Sequence, residues 1–240
     1  VTLKDWLARH PYLEPVARVH ARVAAAANAT TIAPIAVPDW NAYRADFLEG
    51  VPLLDSRTVA IDLAPVDAAI RETVDRLRVG GGAEAEAGFV HYVSAIVFAR
   101  ALRPIVRAFA EWRDDDRWLR RYCPTCGAPP SMAQLVGVDP GRRRMLVCGS
   151  CETAWRYTRT QCPFCEADSQ RLTGVAIEGE GGLRLDYCEA CRGYLKTYAG
   201  QGDEDVLLAD WTSLHLDALA RERGLERVAA SLYDLEPQTV

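Results

Sequence analysis

Apolar residues three and four positions apart organise the first 120 residues, and that spacing predicts helices. Thr2 followed by Asp5 forms a loose capping box, so a first helix is expected to run to His10, where Pro11 stops it. A second is expected from about Pro15, in the first turn, through the alanine run Ala24 to Ala27. Pro38, Asp39 and Trp40 open a third, closed by Gly50. Val66, Ala69, Ile70, Val74 and Leu77 mark another over Pro65–Val79, ahead of the stop Gly80-Gly81-Gly82. From about Glu84 to Trp112 the apolar residues surround much of the helical circumference, as in a central, buried helix, with a kink or interruption expected at Pro104.

From Arg121 to about Gly200 the helical period gives way to glycine, proline and β-branched residues. The alternation of Trp155, Tyr157 and Arg159 against Ala154, Arg156, Thr158 and Thr160 suits a strand, and Trp155 and Tyr157 are expected to pack between two halves of this region. Beyond Asp203-Glu204-Asp205, a helical pattern returns in Val206, Leu207, Trp211, Leu214, Leu216 and Leu219. Gly224 is expected to end that helix, with a short one following to Leu232. A tail this apolar needs a surface, most simply the N-terminal bundle.

Composition narrows the function classes. The chain has 240 residues, 49% hydrophobic and 25% charged, which is enough apolar material for a core. A net charge of −5 gives no bulk attraction to nucleic acid or anionic lipid. The most apolar stretch, Phe89 to Leu102, is interrupted by His91, Ser94 and Arg100, so no membrane span is expected.

Cysteine is the most specific signal. All eight cysteines fall between Cys123 and Cys191, as Cys123/Cys126, Cys148/Cys151, Cys162/Cys165 and Cys188/Cys191. A disulfide framework scatters its cysteines, whereas consecutive CxxC pairs present thiolates two by two to a metal. The pairs form an internal repeat: Cys123 to Cys162 and Cys126 to Cys165 are 39 positions each, and the two later steps are 40. Cys-Pro-Thr-Cys matches Cys-Pro-Phe-Cys, and Arg156 falls opposite Lys196. Each unit is too small to bury a sufficient core, and a metal supplies what it lacks: structural zinc contributes about 10–16 kcal/mol in small peptides. The repeat favours one metal per unit over cross-bracing between units. Zinc and iron both accept four thiolates, so the metal stays open between them. Four protein ligands per site leave no position for an activated water, which argues against hydrolytic metal catalysis and leaves no catalytic residue to nominate.

The remaining candidates have plainer readings. His10, His20, His91 and His215 lie outside the cysteine units, and His91 reads as a hydrogen-bonded core residue. Arg142-Arg143-Arg144 follows the turn Asp139-Pro140-Gly141 and reads as solvated hairpin charge, as Asp114-Asp115-Asp116 reads as a solvated boundary. Residues 121–161 carry a net +4 but residues 162–205 carry −5. Without a sustained basic stripe, nucleic-acid binding ranks low.

The order of these motifs resembles the formate dehydrogenase accessory proteins of the FdhE type. The resemblance is carried by Cys123-Pro-Thr-Cys126-Gly127, by Cys148-Gly-Ser-Cys151-Glu152-Thr153-Ala154-Trp155, by Arg159, Cys162 and Cys165, and by Cys188/Cys191 with Tyr194-Leu195-Lys196. Weaker echoes lie in Phe89-Val-His91-Tyr92 and in Leu214 to Arg221. The resemblance implies an α+β protein: an N-terminal helical bundle over 1–120, tandem rubredoxin-like/zinc-ribbon units over 121–161 and 162–200, and a C-terminal helical segment over 201–240 that packs back on the bundle. It implies a cytoplasmic, non-catalytic assembly factor whose partner is the catalytic subunit of formate dehydrogenase. The eight cysteines then hold two tetrahedral metal ions, zinc or iron. The rival from another class is a rubredoxin-like electron carrier, which requires iron in at least one site.

Overall fold

The computed structural model describes residues 3–29, 35–36, 38–55, 59, 90, 92–138, 140–180, 182–200 and 206–229. The helix expected over Pro65–Val79, the glycine stop after it, the start of the long helix and His91 lie outside the described residues.

Helix α1 (Leu3–Arg9) ends at a single 3-10 turn, Pro11–Leu13, that leads into α2 (Glu14–Ala29). Helix α3 (Trp40–Glu49) is capped by the Asp39 carboxylate, which accepts from the Asn41 amide, and closed by Gly50 at φ 90°. Helix α4 covers 92–112 and continues through Pro104 rather than breaking there. Pro104 itself is exposed. Helix α5 (Asp115–Trp118) is a single turn capped by Asp114. The acidic run is therefore not a merely solvated boundary. Asp114 caps a helix, Asp115 holds Arg113 at 2.6 Å, and Asp116 pairs with Arg156.

The cysteine region builds one mixed sheet from β1 (Pro130–Val136), β2 (Arg143–Cys148), β3 (Ala154–Tyr157), β4 (Leu172–Ala176), β5 (Leu183–Cys188), β6 (Gly193–Gly200) and the two-residue β7 (Glu226–Arg227). Its order is β3-β2-β1-β6-β5-β4, with β7 alongside β6. The internal repeat is legible in this order: each half is a three-stranded antiparallel meander. The halves join through a parallel seam running from Met132↔Lys196 to Val136↔Gly200. Strands β1 and β6 are therefore central, and each is buried over its first six residues, where an edge or one-sided strand would alternate.

Helices cover both faces of the sheet. On one, Trp6 of α1 joins Met132, Val147, Leu183 and Tyr198 together with Ala209 and Leu216. On the other, Tyr43 and Phe47 of α3 and Leu102, Ile105 and Phe109 of α4 pack with Trp118 against Leu146, Trp155 and Leu195. Trp155 thus packs against the helical body rather than between the two units, and its indole N–H donates to the Arg120 carbonyl at 2.8 Å.

The C-terminal segment returns to the N-terminal helices, where Trp211 packs on Leu13 and Ala17. It is split into α6 (Val206–Trp211) and α7 (Leu214–Glu222), not one continuous helix. At the break, side-chain hydroxyls bond the last carbonyls of α6: Thr212 Oγ1 donates at 2.7 Å to Leu208 O, which also accepts the Thr212 amide, and Ser213 Oγ donates to Ala209 O at 2.5 Å. Lys196 Nζ adds a bond to Asp210 O at 2.7 Å. Residues 225–229 hold no helix; β7 takes the place of the one expected there, because Glu226 and Arg227 pair with Gly193 and Tyr194.

Candidate metal centres

The eight sulfurs gather into two sets of four, Cys123, Cys126, Cys148 and Cys151 in one and Cys162, Cys165, Cys188 and Cys191 in the other. Each CxxC closes a tight hairpin. The amides of Gly127, Glu152, Glu166 and Arg192 donate to the carbonyls of Cys123, Cys148, Cys162 and Cys188 at 2.9, 3.1, 3.0 and 2.8 Å. All four of those donors have positive φ, near +62° for the three that are not glycine and +75° for Gly127. The turn also aims amides at sulfur: Thr125, Ser150 and Phe164 each donate to the first sulfur of their pair at 3.4 Å. Such donors favour the thiolate over the thiol.

The sulfur spacing fits a tetrahedral ion. With metal–sulfur bonds of about 2.3 Å, tetrahedral geometry puts sulfurs about 3.8 Å apart. Cys123–Cys151 and Cys126–Cys148 measure 3.5 Å, and Cys162–Cys191 and Cys165–Cys188 measure 3.8 and 3.7 Å. Disulfides would need about 2.05 Å. Burial works against a thiolate at Cys123, but its three neighbouring thiols outweigh burial and hold it well below the usual range. Hydrogen bonding with Cys123, Cys126 and Cys151, with burial adding, pushes Cys148 up. In the second set, burial and then Cys165 and Cys162 push Cys191 up to about 12. Crowded thiols resist carrying several negative charges together, and a divalent cation removes that penalty.

The two centres differ in their surroundings. The first is buried at all four cysteines and sits within the aromatic core of α3 and α4. Its two knuckles are tied by Thr125 and Thr153, fully buried, whose hydroxyls are 2.8 Å apart, with Thr153 also 3.1 Å from Cys151 Sγ. In the second, Cys165 is exposed and Cys191 half-buried. There Phe164 stands at the repeat position of Thr125 and Gly193 at that of Thr153. A Cβ on Gly193 would meet Phe164 Cδ2 at 2.8 Å. This exchange of a hydroxyl pair for an aromatic–glycine pair is visible in the 39- and 40-residue offsets, although sequence reasoning did not use it.

Sequence reasoning also missed a buried ion quartet beside the second unit. Lys196 Nζ lies 2.7 Å from Asp210 and 2.6 Å from Asp217; Arg227 reaches both carboxylates at 2.8 Å. Tyr194 donates to Asp217 at 2.8 Å. Burial opposes the charge on Asp210, yet Lys196 and then Arg227 outweigh it and hold its carboxyl below the usual range. The arginine run divides as well: Arg143 is exposed, but Arg144 is buried and donates to Gln161 O at 3.2 Å, so the run is not uniformly solvated.

No protein-family model matches the chain. Curated relatives do. The chain is 30% identical over 196 residues to an FdhE homolog of Pseudomonas aeruginosa, covering 70% of this chain and 62% of that protein. It is 30% identical over 208 residues to one of Stutzerimonas stutzeri, covering 76% and 65%, and 32% identical over 137 residues to one of Aquifex aeolicus, covering 53% and 47%. Over most of its length the chain resembles the FdhE homologs. It spans less than two thirds of the length of these FdhE relatives. The crystal structure of the FdhE protein from Pseudomonas aeruginosa has the same fold, at a TM-score of 0.59 and 23% identity, over 93% of this chain and 88% of that one. Among the described residues, no helix is long and apolar enough to cross a membrane.

Proposed function

We propose that this chain acts as a non-catalytic accessory factor that binds the catalytic subunit of formate dehydrogenase in the cytoplasm and supports its maturation. Kinship with the FdhE homologs is the observation that carries the reading. Cys123, Cys126, Cys148 and Cys151 hold one metal ion, and Cys162, Cys165, Cys188 and Cys191 hold the other, zinc or iron in each case. In this reading 1–120 and 201–240 form the helical body, and 121–161 and 162–200 are its two metal-folded units. Preformed thiol tetrads on a helix-backed sheet support rigid presentation of a surface rather than turnover of a substrate.

The test is anaerobic capture of tagged protein from its host, with partners identified by mass spectrometry. A formate dehydrogenase catalytic subunit is expected, and Cys126→Ser should remove one metal and weaken the capture. Failure to recover that subunit from cells that express it would overturn the reading. The exposure of Cys165 favours one second reading, electron transfer by iron in the second site. Visible absorption that bleaches reversibly on reduction supports it; colourless, zinc-loaded protein from the native host refutes it.

A further inference from the structure

A cleft of about 340 Å³ opens on the sheet where the two units meet, and its walls are strongly cationic. Arg144 enters from β2, Arg159 from the loop after β3, and Arg184 from β5; Asp186 is the one carboxylate among the described lining residues. That carboxylate is already engaged. Arg184 binds it at 2.8 and 3.0 Å, and Thr197 Oγ1 donates to it at 2.7 Å. Arg159 is exposed at the rim, with a bond to the Arg142 carbonyl at 3.3 Å.

Arg144 is the under-compensated group. It is only 6% exposed, it lines the cleft, and among the described residues its Nε has no hydrogen-bond partner. Its described hydrogen bond goes to a neutral carbonyl, that of Gln161. Burial lowers its pKa from the usual arginine value, and Arg184 adds to that, offset in part by Asp186 and Cys162. A buried guanidinium with an unused donor is costly unless an anion meets it. The floor is also kept open: a Cβ on Gly174 would come within 2.9 Å of Asp186 Oδ1 and 3.6 Å of Arg184 Cζ.

We propose that this inter-unit cleft is a binding site for a small organic anion, whose carboxylate or phosphate head is held by Arg144 with Arg159 at the rim and Arg184 on the opposite wall. Guanidinium forks match the oxygens of either head group, and the cleft is larger than a bare inorganic ion needs. The site lies on the seam between the units, so an occupant touches both.

The experiment is calorimetric titration of the metal-loaded full chain with inorganic phosphate and, separately, acetate, at constant ionic strength in a zwitterionic buffer. The expected result is saturable binding of at least one probe with one site per chain. Arg144→Gln should weaken it tenfold or more, and the exposed Arg159→Gln, which does not disturb the interior, should weaken it several-fold. Arg143→Gln removes the same charge from the adjacent position on the other face of β2 and should leave it unchanged. Phosphate binding alone identifies a phosphorylated ligand class, and acetate binding alone a carboxylate one. No saturable binding of either probe up to about 10 mM, or equal weakening by Arg143→Gln and Arg159→Gln, would overturn the proposal.

Discussion

Lys196 is the residue whose removal the structure makes most informative. It is 1% exposed and supplies one of two buried cations that balance Asp210 and Asp217. Lys196→Met keeps the chain's bulk and removes the charge, leaving Arg227 facing two carboxylates. Breaking one side of a buried pair costs about 3–5 kcal/mol, because the orphaned charge stays out of water. For a chain of this size each kcal/mol lowers the melting temperature by about 2–4 °C, so a fall of about 10 °C is expected. Lys196 also ties the α6–α7 break to β6, so α6 and α7 should loosen first. Adding Asp217→Asn to Lys196→Met rebalances the quartet and keeps an acceptor for Tyr194, and should recover about half of the loss. Acidity gives the sign test. The Asp210 carboxyl is held below its ordinary value near 3.8, so its pairing stabilises the fold above that value and is lost as pH falls through the depressed one. The difference between wild type and Lys196→Met should therefore shrink on acidification below that ordinary value. Equilibrium unfolding followed by far-ultraviolet circular dichroism at pH 7 and in acid reads both. A loss under about 1 kcal/mol at pH 7, or one that persists undiminished in acid, would refute the electrostatic argument.

Three further outcomes are expected. A chelator should strip the second centre well before the first, since Cys165 is exposed whereas Cys123, Cys126, Cys148 and Cys151 are all buried; metal release followed by mass spectrometry should show a one-metal species, and simultaneous loss would contradict the asymmetry. Gly193→Ala should destabilise the protein by about 1–3 kcal/mol in denaturant titration, because its Cβ would meet Phe164 at 2.8 Å and Val228 at 2.9 Å. Glu166→Gly should raise stability by up to about 1 kcal/mol, because Glu166 holds φ at +62° on an exposed knuckle where glycine carries no strain; a lower melting temperature would show that Glu166 makes a compensating contact.

Local chemistry was legible in the sequence where a short motif closes on itself. The CxxC spacing and its 39- and 40-residue offsets anticipated the duplicated meander, and Asp39 and Gly50 marked both ends of α3. What stayed hidden depends on partners distant in the chain. Nothing near Lys196 signals that Asp210, Asp217 and Arg227 will meet it, and a lysine in a strand otherwise reads as solvated. The same holds for the break at Thr212 and Ser213, where side chains that merely lower helix propensity bond carbonyls of α6, one of which, that of Asp210, Lys196 also binds. At Pro104 only the interruption half of the expectation fails, because α4 continues through it.

The parallel seam has a consequence for how this chain is made. Met132 of β1 finds its partner at Lys196, 64 positions further on. Until β6 leaves the ribosome, β1, whose first six residues end up buried, presents one unpaired edge. The first thiol tetrad can close before that, since its last member is Cys151. Synthesis therefore passes through an interval in which a half-sheet waits with an adhesive flank, open to pairing with another nascent copy. Slow translation beyond Cys151 lengthens that interval and favours aggregation. Yield in a foreign host then depends on elongation speed across the second unit, and not only on the stability of the finished fold.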